Sequence, residues 1–454
     1  MTHDPYNRIS GDASRVRSRE IRVVTARPPS APSPSPCGRM LSLRRSTRIA
    51  VAAAGSVLTL HGGSSSNNSS EPSVIGAVVL FRHGARSAIF HLPDGPSVRY
   101  ETITAAPPHA VRASVQNGKN CHKYAPPSAP GFLTPLGWKQ GEALGRQMRK
   151  RYGDAATVSA THSTDTSRTV LTAHAVLTGF LEDSASRPSS MPQTLNAYGP
   201  PIVSINVIRG ATLALDIGCA ELALHLNAGR AKFRETDTAN SQARAALRDA
   251  FGENYRPSQC GLLAVHDDCV ARHVHGLPPS ESVDMSLCEL SSRETAREVR
   301  AAMRHTEVND DTRRTNAYAA RLAAGRLMQI IGAHISECRA APPGPGEGPR
   351  LLLLSGHDTS LMAVANALEH LASDVPPSGP LLPDDVWPPH TASIAIELLS
   401  DGSVRIVYEW EELTATQPLE RFLRGVKRLG STESQHALFC GESDEDGASF
   451  RWSD

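Results

Sequence analysis

The sequence predicts an α/β fold, a mostly parallel sheet flanked by helices, with an inserted and mainly helical domain. Two apolar runs, Val74–Phe81 and Arg350–Ser355, each end in charged residues and glycine, as expected of strands that are buried on both faces. After the first run, strand, turn and helix patterns follow one another, which is typical of parallel βαβ units. The long stretch between the two parts is rich in Ala, Arg and Glu and carries mainly helical patterns.

The N-terminal region does not have the composition of a folded core. It contains the Pro/Ser tract Arg27–Pro36, then the basic segment Met40–Arg48 and the apolar segment Ile49–Leu60. A basic region before about a dozen apolar residues is the layout of a secretory signal, and it is too short to remain as a membrane span in the mature chain. We predict a leader over residues 1–72 and the secretory pathway, with a mitochondrial transit peptide as the alternative because the region is rich in Arg and Ser.

The first part of the α/β core is predicted at residues 73–183. It begins with the strand Val74–Phe81, which a long proline-rich loop follows. Apolar residues then recur at helical spacing over Leu133–Tyr152, with basic residues in the last turn. Ala155–Ala160 is a short strand candidate, and the helix after it runs to about Leu181.

The helical insertion is predicted at residues 184–344, with a single strand candidate at Ile202–Val207. Its helical patterns lie at Asp237–Phe251, Ser291–Arg304 and Thr312–Cys338. The second part of the core follows at residues 345–440 and includes a hairpin around Asp401-Gly402, a dipeptide that favours tight turns. Residues 441–454 form an acidic tail.

Composition excludes several classes of function. The net charge is +1, and aromatic residues make up 5% of the chain, so neither a basic surface nor a base-stacking pattern indicates nucleic-acid binding. The eight cysteines lack the spacing of zinc sites, and they allow disulfides without proving them.

Each of the two buried strands ends in a polar cluster. Arg82, His83 and Arg86 follow the first strand, and His357 and Asp358 follow the second. Ligands of open α/β sheets bind at the carboxyl ends of the strands. Two guanidiniums beside an imidazole therefore predict an anion site, with phosphate as the anion that such groups fit.

Phosphoryl transfer requires the same kinds of group. Fixed guanidiniums meet the charge on the phosphate oxygens, a neutral imidazole attacks phosphorus, and a carboxyl supplies the proton of the leaving alcohol. Arg168, at the start of a helix after the third strand candidate, is a further candidate. We find no acidic cluster that would hold two metal ions, so the arginines are expected to supply the positive charge.

Other histidines carry weaker signals. His266, Asp267 and Asp268 form a second His-Asp sequence, but no long buried strand leads into it, and a helix-capping or turn role accounts for it at least as well. We interpret His162 and His174 as structural.

Four segments in this order resemble the histidine acid phosphatase family, branch 2 of the histidine phosphatase superfamily. They are Arg82–Ala88 (RHGARSA, against the family's RHGxRxP), Leu133–Tyr152, Ser163–Thr169 (STDTSRT) and His357-Asp358. The resemblance spans roughly residues 74–440. RHGARS and Trp387-Pro388-Pro389 are most similar to the lysophosphatidic acid phosphatase type.

The resemblance implies a Rossmann-like core with a helical cap and a set of site residues. It implies His83 as the phosphohistidine nucleophile and Asp358 as the proton donor to the leaving oxygen. Phosphate would be held by Arg82, Arg86, Arg168 and His357. It implies no metal and no cofactor, and a small phosphomonoester or a lysophospholipid as substrate.

We therefore predict a metal-independent acid phosphatase, with lysophosphatidic acid phosphatase as an alternative of the same family. An alternative of another class is a non-catalytic phosphate-binding protein. It stays open because Ala88 stands where the family motif has proline, which would rigidify the loop. The sequence leaves the oligomeric state open.

Overall fold

The structure is a computed structural model that describes residues 71–93, 98–118, 129–182, 203–208, 213, 219–304, 316–371, 380–413 and 416–440. Apart from its last two residues, the predicted leader lies outside these ranges, as does the acidic tail. Within the described part, no helix has the length and apolar character needed to cross a membrane.

Nine strands of the described chain form one mixed sheet. They are β1 (Val74–Arg82), β2 (Ala113–Gln116), β3 (Thr157–Ser163), β4 (Val203–Val207), β5 (Arg350–Gly356), β6 (Ser393–Leu399), β7 (Ser403–Tyr408), β8 (Glu411–Glu412) and β9 (Gln417–Pro418). Their order is β2-β4-β3-β5-β1-β6-β7-β8, and β9 pairs with β7. The neighbours from β2 to β1 are parallel, and β6 to β9 pair antiparallel.

The two apolar runs of the sequence are the central strands. β1 and β5 lie side by side in parallel, and Val78, Val79, Leu353 and Leu354 are fully buried. A strand with helices on both faces buries every side chain, which accounts for the continuous apolar runs. The α/β fold with helices around a sheet is confirmed, and the antiparallel part contains the predicted hairpin as β6 and β7.

Helices cover both faces of the sheet. They are α1 (Pro135–Tyr152), α2 (Ser167–Leu181), α3 (Ala220–Thr236), α4 (Thr238–Phe251), α5 (Pro257–Cys260), α6 (Leu262–Val274), α7 (Met285–Arg304), α8 (Asn316–Ala340), α9 (Asp358–Leu371), α10 (Leu419–Leu429) and α11 (Glu433–Cys440). The Thr134 side chain caps α1 by accepting from the amide of Gly137, and Gly153 ends α1 with φ 81°.

The helices α3 to α8 lie between β4 and β5 in the sequence; α4 to α7 share a small apolar core, and α3 packs in the main core. A disulfide, Cys269–Cys288, joins α6 to α7, and a second one, Cys219–Cys440, joins the start of α3 to α11. Cys260 and Cys338, which lie outside the two disulfides, are buried.

The structure differs from the sequence prediction at several elements, β3, α3 and α6 among them. β3 begins and ends later than the predicted strand Ala155–Ala160, so it reaches Ser163. α3 and α6 were not predicted. In α6 the buried face includes His266, Asp267 and Asp268, and these polar residues hide the helical spacing of the apolar ones.

Candidate active site

The site forms where three parallel strands end together. β5 lies between β3 and β1, with Ser163 opposite Ser355 and Arg82 opposite Gly356. The segments that follow these strands therefore meet at one edge of the sheet. The structure brings together there all six residues that the sequence predicts: Arg82, His83, Arg86, Arg168, His357 and Asp358.

The three arginines surround the site with donors that remain available. Arg82 lies 2.8 Å from Asp358 through its Nη2, and Arg86 lies 2.6 Å from Asp267. The Nε of Arg82, of Arg86 and of Arg168 is buried and has no hydrogen-bond partner among the described residues. Buried donors without partners are costly, and three neighbouring guanidiniums repel one another, so the cluster favours the binding of an anion.

His83 is held as a neutral imidazole. Its Nδ1 lies 2.9 Å from the carbonyl oxygen of Gly84. Because a carbonyl only accepts, Nδ1 carries the proton and Nε2 keeps its lone pair. Burial, and then the charge of Arg168, lowers the pKa of His83 well below its usual value near 6.5. Nε2 is therefore unprotonated at mildly acidic pH, as a nucleophile would have to be.

The backbone of residues 82–86, the RHGAR segment, is fixed by α1 and α2. Gly84 donates its amide to Thr172 at 3.0 Å, and Ala85 donates its amide to Gln140 at 2.7 Å. A Cβ at Gly84 would lie 2.2 Å from the carbonyl oxygen of Gly137, so only glycine allows this close approach. The segment is thereby rigid before any ligand binds.

Thr164, directly after β3, and Arg168, of α2, orient His357. Its Nε2 lies 3.0 Å from the hydroxyl of Thr164, and its Nδ1 lies 3.5 Å from Nη2 of Arg168. Its ring centroid is 5.6 Å from that of His83. Burial, and then Arg168, lowers the pKa of His357, so the ring is neutral.

Asp358 opens α9 and is surrounded by donors. Its carboxylate accepts from the Thr359 amide at 2.8 Å and from the Trp387 indole at 3.1 Å, besides the ion pair with Arg82. Burial alone would raise the pKa of Asp358, but Arg82 and then His357 lower it below the usual range. The carboxyl is therefore ionised in the free protein.

One interpretation of the sequence is wrong. His266, Asp267 and Asp268 lie in the interior of α6, so they neither cap it nor form a turn. Asp267 binds Arg86, and the ring of His266 packs at 4.8 Å on that of Trp387. Three consecutive polar residues inside a helical apolar spacing were the signal that these side chains face a polar site.

His390 is a second residue that sequence reasoning missed. Its ring centroid is 5.9 Å from that of His83. Burial, and then Arg82, lowers its pKa well below the usual value. The next residue, Thr391, has φ 61° and donates its amide to the carbonyl of His83 at 3.2 Å. A β-branched residue in this region is strained, and such strain concentrates at functional sites.

Ala88, at the place of the family's proline, is 1% exposed. It packs in a small apolar cluster with Tyr100 and with Ala271 of α6. The chain leaves the site through a buried contact with the inserted helices.

Residues 73–199 match the family model of the histidine phosphatase superfamily (branch 2). No curated protein matches the chain.

Among solved structures, the phytase from Citrobacter braakii is 14% identical over 79% of this chain and 98% of that chain, with a TM-score of 0.49. The apo phytase of Hafnia alvei is 12% identical over 79% and 97%, with a TM-score of 0.47. The apo multiple inositol polyphosphate phosphatase of Bifidobacterium longum is 12% identical over 78% and 89%, with a TM-score of 0.40.

The family match begins just before β1, includes Arg82, His83 and Arg86, and continues past Arg168. These are the segments on which the sequence resemblance depends most. The predicted resemblance is confirmed for residues 73–199, which are similar to branch 2 of the histidine phosphatase superfamily.

Proposed function

We propose that the protein is a metal-independent phosphomonoester hydrolase that works through a phosphohistidine on His83. The observation that carries the proposal is the neutral His83, with an unprotonated Nε2, beside three guanidiniums whose buried Nε atoms have no partner in the part of the chain that the structure describes. Such donors hold phosphate oxygens while an imidazole attacks phosphorus.

The reaction divides into two transfers. Nε2 of His83 attacks phosphorus, the P–O ester bond breaks, and Asp358 gives its proton to the leaving oxygen. Water then attacks the phosphohistidine and passes a proton to Asp358, which restores both groups. Arg82, Arg86 and Arg168 bind the phosphate oxygens in both steps.

The ionised state of Asp358 determines which substrate form reacts. A carboxylate paired with Arg82 has no proton to give. A phosphate monoanion carries a proton. When it binds, its oxygens pair with the guanidinium of Arg82, and its proton moves to Asp358. A dianion binds without that proton.

We expect kcat/KM to fall above about pH 6, where phosphate monoesters lose their second proton. The lowered pKa of His83 keeps the nucleophile neutral as the pH decreases, so activity should persist well below pH 6. The pH profiles of kcat/KM for two monoesters with different second pKa values check this, because the alkaline limb should shift with the second pKa of the substrate. An alkaline limb that is the same for both would contradict the assignment.

Arg168→Lys is expected to raise the KM about 10- to 100-fold, since an ammonium is a point charge and lacks the two-pronged contact of a guanidinium. Arg146→Lys is the matched control, because Arg146 is exposed and pairs with Glu182 at 2.7 Å. Steady-state kinetics with p-nitrophenyl phosphate measure both. Equal KM values for Arg168→Lys and the wild type would remove Arg168 from the phosphate site.

The test of the proposal itself is hydrolysis of p-nitrophenyl phosphate in the presence of a chelator. Activity that requires an added metal would contradict it. The non-catalytic alternative predicts phosphate binding without turnover.

The substrate class belongs to the same proposal. Ile89 and Val386 are exposed apolar residues, 40% and 47% accessible, that follow the RHGAR segment and precede Trp387. Apolar groups beside the phosphate site favour an apolar leaving group, such as that of a lysophospholipid. A panel containing lysophosphatidate, small monoesters and inositol phosphates distinguishes these classes.

We also propose passage through the secretory pathway. The disulfides Cys219–Cys440 and Cys269–Cys288 support it, since disulfides persist in oxidising compartments. Microscopy of the tagged full chain separates this destination from the mitochondrion.

A further inference from the structure

Asp267 places a buried carboxylate on one of the proposed phosphate arginines. Its Oδ1 lies 2.6 Å from Nη2 of Arg86, and its Oδ2 accepts from the amides of Ile89 at 2.6 Å and Phe90 at 3.2 Å. The side chain is 7% exposed. Although burial alone would raise its pKa, Arg86 and the two amides lower it, so Asp267 is an anion inside an anion site.

An anion in this position opposes the ligand, and simple orientation of Arg86 does not require one. A carbonyl or an amide oxygen would orient the guanidinium without adding negative charge. Coulomb interactions are strong in a buried site, so a full charge beside the phosphate has a large effect on its binding.

The charge balance shows what this carboxylate changes. With neutral histidines, the three guanidiniums against Asp267 and Asp358 leave one positive charge. When a phosphate dianion is bound, the site is neutral if Asp358 is protonated and negative if Asp358 is ionised. Without the charge of Asp267, the neutral state would instead be the one with ionised Asp358, which cannot donate.

We propose that Asp267 is a positioning residue that sets the charge of the loaded site so that Asp358 holds a proton while phosphate is bound. The proposal rests on the proposed function, in which Asp358 is the donor. Asp267 acts through Arg86 and the field of the site and does not touch the reacting atoms.

The other groups that act on Asp358 come from several elements. They are Arg82 and Arg86 after β1, Arg168 of α2, His266 of α6, His357 and the Thr359 amide beside it, and the Trp387 indole. The arginines and the hydrogen-bond donors favour the ionised carboxyl, and burial lowers the pKa of the histidines so that they add little charge. The negative charge of Asp267 opposes them, since it pairs with Arg86 and acts on Arg82 and Arg168.

Asp267→Asn is the decisive variant, because it removes the charge and keeps the size and an acceptor oxygen. We expect the alkaline limb of kcat to move down by about one pH unit and kcat above that limb to fall about tenfold, with a smaller loss at low pH. Phosphate dianion should bind more tightly, so KM should fall or stay unchanged. Asp267→Glu, which restores the charge, should return the limb toward the wild-type position.

Asp268→Asn is the matched control on the same helix. Asp268 is also buried and ion-paired, but its partner at 2.7 Å is Arg272, which is not one of the proposed phosphate arginines. The Asp268→Asn variant should lower the free energy of unfolding without moving the alkaline limb of kcat. A uniform loss of kcat in Asp267→Asn at every pH, with the limb unmoved, would reduce Asp267 to a structural role and overturn the proposal.

Binding of inorganic phosphate, measured by calorimetry across pH, gives a readout that is independent of turnover. Wild-type affinity should fall above the second pKa of phosphate, because the bound state retains a proton; in Asp267→Asn this fall should end about one pH unit lower, which leaves a tighter complex with the dianion. Wild-type affinity that does not fall there overturns the proposal even if the variant fails to fold. Absence of hydrolysis in the wild type, with this binding pattern intact, would instead remove the proposed function alone.

Discussion

His83→Ala is expected to lower kcat for p-nitrophenyl phosphate by about 10⁴-fold or more, because removal of a nucleophile leaves only the binding groups. Phosphate affinity should remain within about tenfold of the wild type, since the three arginines still hold the anion. Kinetics and calorimetry on the same preparation separate the two effects. His109→Ala is the control, because His109 is 63% exposed and pairs with Glu142 on the surface.

The same variant tests the covalent intermediate. Wild-type protein quenched quickly during turnover of a ³²P-labelled monoester, without acid, should carry label on His83, and His83→Ala should carry none. Label elsewhere in the chain, or turnover of His83→Ala near the wild-type rate, would contradict the proposed chemistry. Binding without label in the wild type would favour the phosphate-binding alternative.

Gly179→Ala is expected to destabilise the fold by about 3 kcal/mol, since overpacking against backbone has no side chain that can give way. A Cβ at Gly179 would lie 2.0 Å from the carbonyl oxygen of Glu142, and a Cβ at Gly145 would lie 2.1 Å from that of Val176. These glycines allow α1 and α2 to approach closely. Denaturant unfolding measures the change.

Gly344→Ala is the control for this variant. Its nearest atoms are 3.5 Å away on the flexible Glu347 side chain, and its φ is not positive, so the change should stay within about 0.5 kcal/mol. Activity should fall along with stability in Gly179→Ala, because α2 carries both Arg168 and the Thr172 hydroxyl that binds the Gly84 amide. Equal unfolding free energies for Gly179→Ala and Gly344→Ala would contradict the close packing.

The contact between α1 and α2 thus links stability to the site. The two helices hold the RHGAR segment through Gln140 and Thr172, and their spacing determines where Arg168 lies relative to His83. A mutation at this contact is therefore expected to affect phosphate binding as well as unfolding.

Local patterns in the sequence were sufficient for the central part of the protein. The continuous apolar runs at β1 and β5 require burial on both faces, and polar residues at their ends must lie at one edge of the sheet. His83 and Asp358 could therefore be grouped although a long insertion separates them. The hairpin of β6 and β7 was predicted because Asp401-Gly402 suits a tight turn.

The inserted helices were harder to predict because their polar residues face partners that are distant in sequence. His266, Asp267 and Asp268 interrupt the apolar spacing of α6, so this helix was not predicted. In the fold these polar residues are helical and are buried against Arg86, Trp387 and Arg272. His390 lies in a loop with no periodicity, and its position depends on the left-handed Thr391.

The sequence by itself determined the kind of fold and the inventory of the site, because strand burial and strand-end position are local properties of the chain. Only the tertiary structure decided which of the site residues are ionised. Asp358 is ionised because Arg82 reaches it, and Arg86 is partly neutralised because α6 brings Asp267 to it. Charges act through space, so the protonation of a donor depends on neighbours that sequence order does not reveal.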